Sequence, residues 1–368
     1  MTRATTTEEN ILDWLFRSNF DTLTTIALWS IAAVLVTTVV LFAYTIGLRL
    51  TTISRDQSRR RFIMRWRDVF ASSMLSSESA KRQPLPRVDR HDKLDLLDEW
   101  NRSRSMVDGG AVDNLIELAQ RTGIPEIAKR LFHSRQLRSK ILALQTIGHL
   151  RDSALRDEVR SLIDDENTAL SITAATALVD IDPDFGISVI VPMINARRDW
   201  PKTRISILLR QAGSERISEP MYRAIRSEDD SGKTYLLQFA RLIESSILDA
   251  LVADLLRESR DPGVLNAALK LVSGFAGVPR IASLTQHDVW FVRMQAANVL
   301  GRVGQQEHLS ILESLLDDRE WWVRYRAAQA IASLPFLGPN ELRKLRQRQS
   351  DRFASDILQQ AFAEVGLA

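Results

Sequence analysis

Residues 288–301 read DVWFVRMQAANVLG and residues 319–332 read REWWVRYRAAQAIA. Each has an aromatic pair (Trp290–Phe291, Trp321–Trp322), then Val–Arg (Val292–Arg293, Val323–Arg324), then Ala–Ala one helical turn on (Ala296–Ala297, Ala327–Ala328). Weaker copies fit the same frame: RSKILALQTIG from Arg138, ALSITAATALV from Ala169, KTRISILLRQAG from Lys202, TYLLQFARLI from Thr234 and GVLNAALKLV from Gly263. With the motif valine as anchor, the series runs Ser139, Leu170, Thr203, Leu236, Val264, Val292, Val323, at spacings of 31, 33, 33, 28, 28 and 31 residues. A period near thirty with helical apolar spacing predicts a solenoid of antiparallel helix pairs.

The motif has a physical logic. Alanine pairs let neighbouring helices approach closely, and Val or Leu on either side fill the shared core. Asp288 and Asp182, the latter followed by Pro183, are expected to cap helix starts. Arg293 and Arg324 can each reach a carboxylate of the adjoining repeat, or stand free as binding groups. The units resemble short HEAT repeats of the kind seen in phycobilisome-lyase-type proteins, on the strength of Trp322–Val323–Arg324 and Ala327–Ala328, over roughly residues 130–335. The C-terminal LRKLRQRQSDRFASDILQQAFAEVG is expected to close the array as a capping helix pair.

The N-terminal region differs in kind. Asp21 and Arg49 bracket 27 uncharged residues, TLTTIALWSIAAVLVTTVVLFAYTIGL, long enough to cross a bilayer as a helix. The acidic residues ahead of it (Glu8, Glu9, Asp13, Asp21) are unlike the basic start of a cleaved signal peptide. Before the span lie only Arg3 and Arg17. After it come Arg49, Arg55, Arg59, Arg60, Arg61, Arg65 and Arg67, so the C-terminal bulk is expected in the cytoplasm and the N-terminus outside. The expected organisation is an extracytoplasmic segment (1–21) holding the apolar cluster Ile11–Phe16, a transmembrane helix (22–48), a basic juxtamembrane helix (49–70), a Ser/Pro-rich linker (71–90) and the solenoid (91–368). The fold class is all-α: a right-handed α-solenoid preceded by a single transmembrane helix. In RDQSRRRFIMRWRDVF, the residues Arg55, Arg59, Arg60, Arg61, Arg65, Trp66 and Arg67 are candidates for lipid-headgroup contact.

Composition removes several chemistries. The chain has 368 residues and no cysteine, which excludes disulfides, thiolate metal sites and a cysteine nucleophile. Five scattered histidines offer little for a metal centre, and Glu307–His308 is a single pair where a di-iron hydroxylase needs several. SGKT (231–234) lacks the first glycine of a phosphate loop and follows Glu228–Asp230; Asp180, Asp182 and Asp184 lack the glycine and glutamate of a calcium loop. No catalytic, cofactor-binding or metal residues are assigned, and no small-molecule substrate is expected. The net charge of +3 splits into +5 for residues 1–90 and −2 for the rest, which argues against nucleic acid as partner.

The remaining candidates are for a protein partner: Trp200, Trp290, Phe291, Arg293, Trp321, Trp322, Arg324 and Tyr325. Either the aromatics form a ridge along one edge of the solenoid, or each pair staples its own helix start. The function expected is a non-enzymatic scaffold tethered to a bacterial inner membrane, binding a protein there. Resemblance to anchored bacterial HEAT-repeat proteins implies an accessory of a membrane assembly such as a polysaccharide-synthase or glycosyltransferase complex. A lyase- or hydroxylase-type enzyme and a nucleic-acid-binding HEAT-like protein are the alternatives.

Overall fold

The computed structural model describes residues 6–75, 84–274, 278–349 and 351–364; every regular element in them is helical, with no strand. The chain divides into two compact units, Met1–Ile124 and Pro125–Ala368.

In the first unit, α1 (Thr6–Leu75) is one uninterrupted helix, so the expected transmembrane and juxtamembrane helices are a single element. The sequence explains this: no proline precedes Pro84, and Gly47 is the only glycine in that stretch. Residues 24–46 are exposed along their whole length, and this is a span long and apolar enough to cross a membrane. The hydroxyls of Ser30, Thr37, Thr38 and Thr45 donate to the carbonyls of Ile26, Ala33, Val34 and Leu41, one turn back. Such bonds leave no hydroxyl hydrogen for water to satisfy. The side chains of Ile11–Phe16 and Arg55, and the linker residues 76–83, lie outside the described residues.

Further along α1 the pattern becomes one-sided. Phe62, Trp66, Val69 and Phe70 are buried, at helical spacing, where α1 packs on α2 (Lys93–Arg104) and α3 (Gly110–Thr122). Leu96, Leu97, Trp100, Leu115 and Leu118 supply the buried side chains of those two helices. Trp66 is 1% exposed between Phe62 and Phe70, at ring distances of 6.2 and 5.5 Å. This corrects its assignment as a lipid contact: protein, not headgroups, covers the apolar face. Residues 93–122, expected to begin the solenoid, pack on α1.

The second unit is an α-solenoid. After α4 (Ile124–Phe132) come helix pairs: α5 (Leu137–Leu150) with α6 (Arg156–Ser161), α7 (Thr168–Ile181) with α8 (Pro183–Met193), and α9 (Lys202–Ala212) with α10 (Ser214–Ser227). Then follow α11 (Asp230–Leu236) with α12 (Ser245–Glu258), α13 (Pro262–Leu271) with α14 (Val278–Leu284), and α15 (Trp290–Val303) with α16 (Leu309–Ser314). Last are α17 (Trp321–Ala332) with α18 (Pro339–Arg348), and α19 (Arg352–Glu364). The N-caps of the lead helices α5 to α17 are Gln136, Asn167, Pro201, Asp229, Asp261, Val289 and Glu320, spaced 31, 34, 28, 32, 28 and 31 residues apart.

Five of the seven sequence anchors sit three residues after these caps; two were misplaced. Thr203 is one residue early, and Leu236 ends its helix where Gly232 holds the aligned position. The apolar run 235–240 drew the frame forward, because this repeat begins in the polar Asp229–Gly232. Asp182 caps α8 by accepting from the Phe185 amide (3.2 Å), and Asp229 accepts from the Gly232 amide (2.7 Å), inside the SGKT stretch. Asp288 does not cap; Val289 occupies the N-cap.

Five of the seven lead helices start alike for another reason. Two residues before the cap, a side chain accepts from the cap's own amide: Ser134 from Gln136 (3.2 Å), Asp165 from Asn167 (2.8 Å) and Ser259 from Asp261 (3.2 Å). His287 Nδ1 does so for Val289 (3.1 Å) and Asp318 for Glu320 (2.9 Å). Pro201 has no amide hydrogen to offer, and Asp199 there bonds Thr168 (2.8 Å) and Arg197 (2.9 Å) instead.

Adjacent lead helices touch backbone to side chain. A Cβ on Gly301 would fall 2.6 Å from Cα of Ala330, and one on Gly148 would fall 2.8 Å from Cα of Ala177. Both glycines lie twelve residues after their caps and both alanines ten, so one close approach is used twice. Replacing Gly301 by Leu is expected to destabilise the second unit by about 1–3 kcal/mol or more, since overpacking here meets backbone. Urea unfolding followed by circular dichroism checks this; an unchanged midpoint would refute the close approach.

Candidate functional site

The candidates for partner binding separate by burial. Trp200 is 1% exposed, with Nε1 donating to Ser171 Oγ (3.0 Å) and the Arg197 guanidinium 5.3 Å from its ring. It is a wall of the core between α7 and α9, which corrects its placement on the ridge. Arg197 explains why the ring is held inward: it donates to the carbonyls of Ile163 (2.7 Å) and Asp165 (3.2 Å) in the preceding repeat. Its pairing holds the Asp199 carboxyl down at about 2, helped by Thr168 and opposed by burial.

Arg293 is also built in. Its Nε and one terminal nitrogen each donate to a carboxylate oxygen of Asp318 at 2.7 Å, and the other terminal nitrogen donates to the carbonyls of His287 (2.8 Å) and Asp288 (2.9 Å). The two side chains are 7% and 9% exposed. Burial alone would raise the Asp318 carboxyl; the Arg293 bonds and the Glu320 amide outweigh it and bring it below the usual range. Asp318 thus performs two tasks, starting α17 and tying α15 to it.

What is left is aromatic and open to solvent. Trp290 (38% exposed), Trp321 (42%) and Trp322 (55%) sit on the first turns of α15 and α17. Trp290 and Trp321 hold the same register position, one residue after the cap, on helices that pack directly against each other. Lead helices in such contact stand about 8–10 Å apart. Phe291 is half-buried against the core, edge-on to Trp290 at 5.9 Å. Trp321 stacks on Tyr325 (5.1 Å, 8° between planes) and meets Trp322 edge-on at 4.8 Å.

Tyr325 is fixed from behind: its hydroxyl donates to the Glu364 carboxylate (2.9 Å) and accepts from Gln329 Nε2 (2.9 Å). Bonding to Glu364, with desolvation, pushes the phenol up; Gln329 and Tyr325 in turn hold Glu364 low. The ring beneath Trp321 is therefore pre-set. Arg324, between them in sequence, is half-buried, and its Nε is enclosed without a hydrogen-bond partner.

On α1, Arg59 pairs with Asp95 (2.7 Å) and Arg67 with the buried Glu99 (2.8 Å), so both serve the packing of α2. Arg60, Arg61 and Arg65 are exposed. His308, half of the sequence's His–Glu pair, accepts the Gln305 amide through Nδ1 (3.1 Å) and belongs to a helix cap. Sequence reasoning missed the residues that bond the cap amides of five lead helices and the Arg197 clamp. A polar residue two before each cap was visible only once the caps were known.

Residues 248–332 match the family model for HEAT repeats. No curated protein matches the chain in sequence. Among solved structures, Kap121p aligns over 80% of this chain and 37% of its own, at 11% identity and a TM-score of 0.49. Importin beta aligns over 82% of this chain and 52% of its own, at 13% identity and a TM-score of 0.36. A designed armadillo repeat protein aligns over 73% of this chain and 99% of its own, at 13% identity and a TM-score of 0.20. The chain thus spans well under two thirds of the first of these.

Breaking the buried pair tests the site's foundation. Arg293→Met leaves Asp318 buried and unmatched, with an expected loss of about 3–5 kcal/mol at neutral pH. The sign with pH follows from the carboxyl's position. In the wild type it lies below its unfolded value, so the stabilisation is complete above about pH 4 and falls as acid protonates it. In Arg293→Met burial raises it, so acid relieves the variant and the deficit narrows. Urea midpoints from pH 7 to pH 3 measure both, and a deficit that widens in acid would contradict the pairing.

Proposed function

We propose that the protein is a non-enzymatic scaffold anchored in a membrane by α1, with the solenoid binding a protein partner through Trp290, Trp321 and Trp322. The observation that carries this is the exposure of three neighbouring tryptophans, Trp290 and Trp321 at matching register on adjacent lead helices and Trp322 next to Trp321, with Trp321 backed by the fixed Tyr325 ring. Tryptophan is among the side chains enriched at the hot spots of protein interfaces. A scattered exposed apolar residue needs no explanation, whereas a cluster does.

Residues 24–46 support the anchor, since a helix serving as a soluble core would be covered and this one is bare. Arginines after the span favour a cytoplasmic solenoid and an external N-terminus. The continuous helix refines the lipid-contact proposal. Arg60 lies 14 residues past Ile46, about 21 Å at a rise of 1.5 Å per residue. The headgroup layer adds only about 5–8 Å per leaflet, and screening acts over about 8 Å. Arg60, Arg61 and Arg65 therefore stand clear of the headgroups, and lipid contact falls to Arg49 and Arg55. A membrane-bound glycosyltransferase or polysaccharide synthase is the partner class that the sequence resemblance favours.

Two experiments test the reading. In-cell crosslinking with mass spectrometry should capture a membrane protein with the intact chain and lose it with Trp290→Ala/Trp322→Ala, provided both fold equally. An unchanged catch would move the docking surface elsewhere. Because the chain has no cysteine, Thr5→Cys and Ser231→Cys each give a single label site. An impermeant maleimide should reach the first in intact cells and the second only after permeabilisation; the reverse pattern would overturn the orientation.

A further inference from the structure

The Arg293–Asp318 pair is a rung between two successive repeats, and the next rung is missing its acid. Arg324 stands four residues after its cap, as Arg293 does after its own. Asp318, the acid of the first rung, lies 25 residues beyond Arg293 and two before the cap of α17. The same step from Arg324 reaches position 349. Position 349 is also two before Asp351, whose carbonyl accepts the Ser355 amide as α19 starts. The residue there is Gln349, and its amide donates to Leu345 O (3.5 Å), not toward Arg324.

Neighbouring acids are engaged elsewhere. Asp351 accepts from the amides of Phe353 (3.3 Å) and Ala354 (3.2 Å), and Glu364 is held by Tyr325 and Gln329. Among the described residues no carboxylate pairs with Arg324, and its enclosed Nε has no acceptor. A guanidinium donates five hydrogens in a fixed fork suited to a carboxylate, and an enclosed donor left unmet is costly. Arg324 also lies on the same side of its helix as Trp321, three residues away.

We propose that Arg324 is an open rung that takes a carboxylate from an acidic segment of the partner protein docked on Trp321 and Trp322. This rests on the docking surface proposed above. The partner segment presents an Asp or Glu beside an apolar side chain: the acid meets the terminal nitrogens of the guanidinium, Nε being enclosed, and the apolar group covers the indoles. Docking then completes at the array's end the contact that the preceding repeat makes internally.

The test supplies the missing acid in cis. Gln349→Asp should pair with Arg324, raise the thermal midpoint of the purified full chain, and compete with the partner. Arg324→Met should be far less destabilising than Arg293→Met, since it removes an unmatched group. For capture, a photo-reactive benzophenone side chain replaces Arg319, an exposed neighbour, in the full-length protein in its own membrane. The crosslinked peptide is expected to carry Asp or Glu, with yield falling about tenfold or more in both Gln349→Asp and Arg324→Met. Yield that persists in both, but is lost in Trp290→Ala/Trp322→Ala, overturns the open rung and leaves the docking surface standing. Yield unaffected by any of them, or crosslinks confined to a second copy of this chain, overturns both. Gln349→Asp without a rise in midpoint, together with Arg324→Met as damaging as Arg293→Met, overturns the rung on stability alone.

Discussion

The close approach of successive lead helices is the constraint on which the solenoid depends. Where Gly148 faces Ala177 and Gly301 faces Ala330, no side chain separates the backbones, so the helices cannot slide without a clash. Fixing that register fixes everything at equal distance from the caps. Val292 and Val323 fall in the shared core, and Trp290 and Trp321 fall together at the rim. The aromatic patch is thus a consequence of packing on the opposite end of the same helices. Its members are neighbours because the glycine–alanine contact, twelve and ten residues after the caps, leaves no other alignment.

Polar groups then decide which ends of the helices are closed. At Asp318 one carboxylate starts α17 and neutralises Arg293, while the remaining guanidinium hydrogens satisfy two carbonyls of the preceding loop. A buried ion pair adds little by itself, because desolvation cancels much of the attraction. Its value here is positional, since a carboxylate with two fixed tasks cannot tolerate a shifted repeat. Arg197 does similar service earlier in the array with backbone carbonyls in place of an acid, and draws Trp200 inward as it does so. Trp200 and Trp290 both lie at the starts of lead helices, but Trp200 is the residue before a proline cap and Trp290 the residue after a valine cap. That shift of two places turns one ring into the core and the other to solvent.

Such shifts explain how far the sequence could be read. The helix-pair architecture was legible because Val, Ala–Ala and Leu recur at core positions, and a core recurs only where packing recurs. The frame failed at Leu236 because α11 opens with Asp230, Ser231 and Gly232, whose place in the repeat comes from a cap and a small residue instead of an apolar side chain. Arg293 and Arg324 are indistinguishable in their local motifs. Their difference lies 25 residues away, in aspartate at 318 and glutamine at 349, and becomes visible only when the caps set the register.

The basic segment of α1 shows the same limit in a helix with no repeat. Phe62, Trp66, Val69 and Phe70 among arginines form an amphipathic stripe that a lipid surface or a protein surface could cover equally well. Hydrophobicity alone does not choose, but continuity does. With no proline and only Gly47 as glycine between Ile46 and Leu75, the stripe must leave the apolar segment 24–46 along its own axis. To lie on a lipid surface that residues 24–46 crossed it would have to bend by about a right angle, and unbroken helices curve only gently. Two short helices, α2 and α3, cover it instead, and Asp95 and Glu99 meet the arginines at its edge. An arginine-rich amphipathic stretch next to a span thus becomes an interface or a core according to whether the backbone between them can turn.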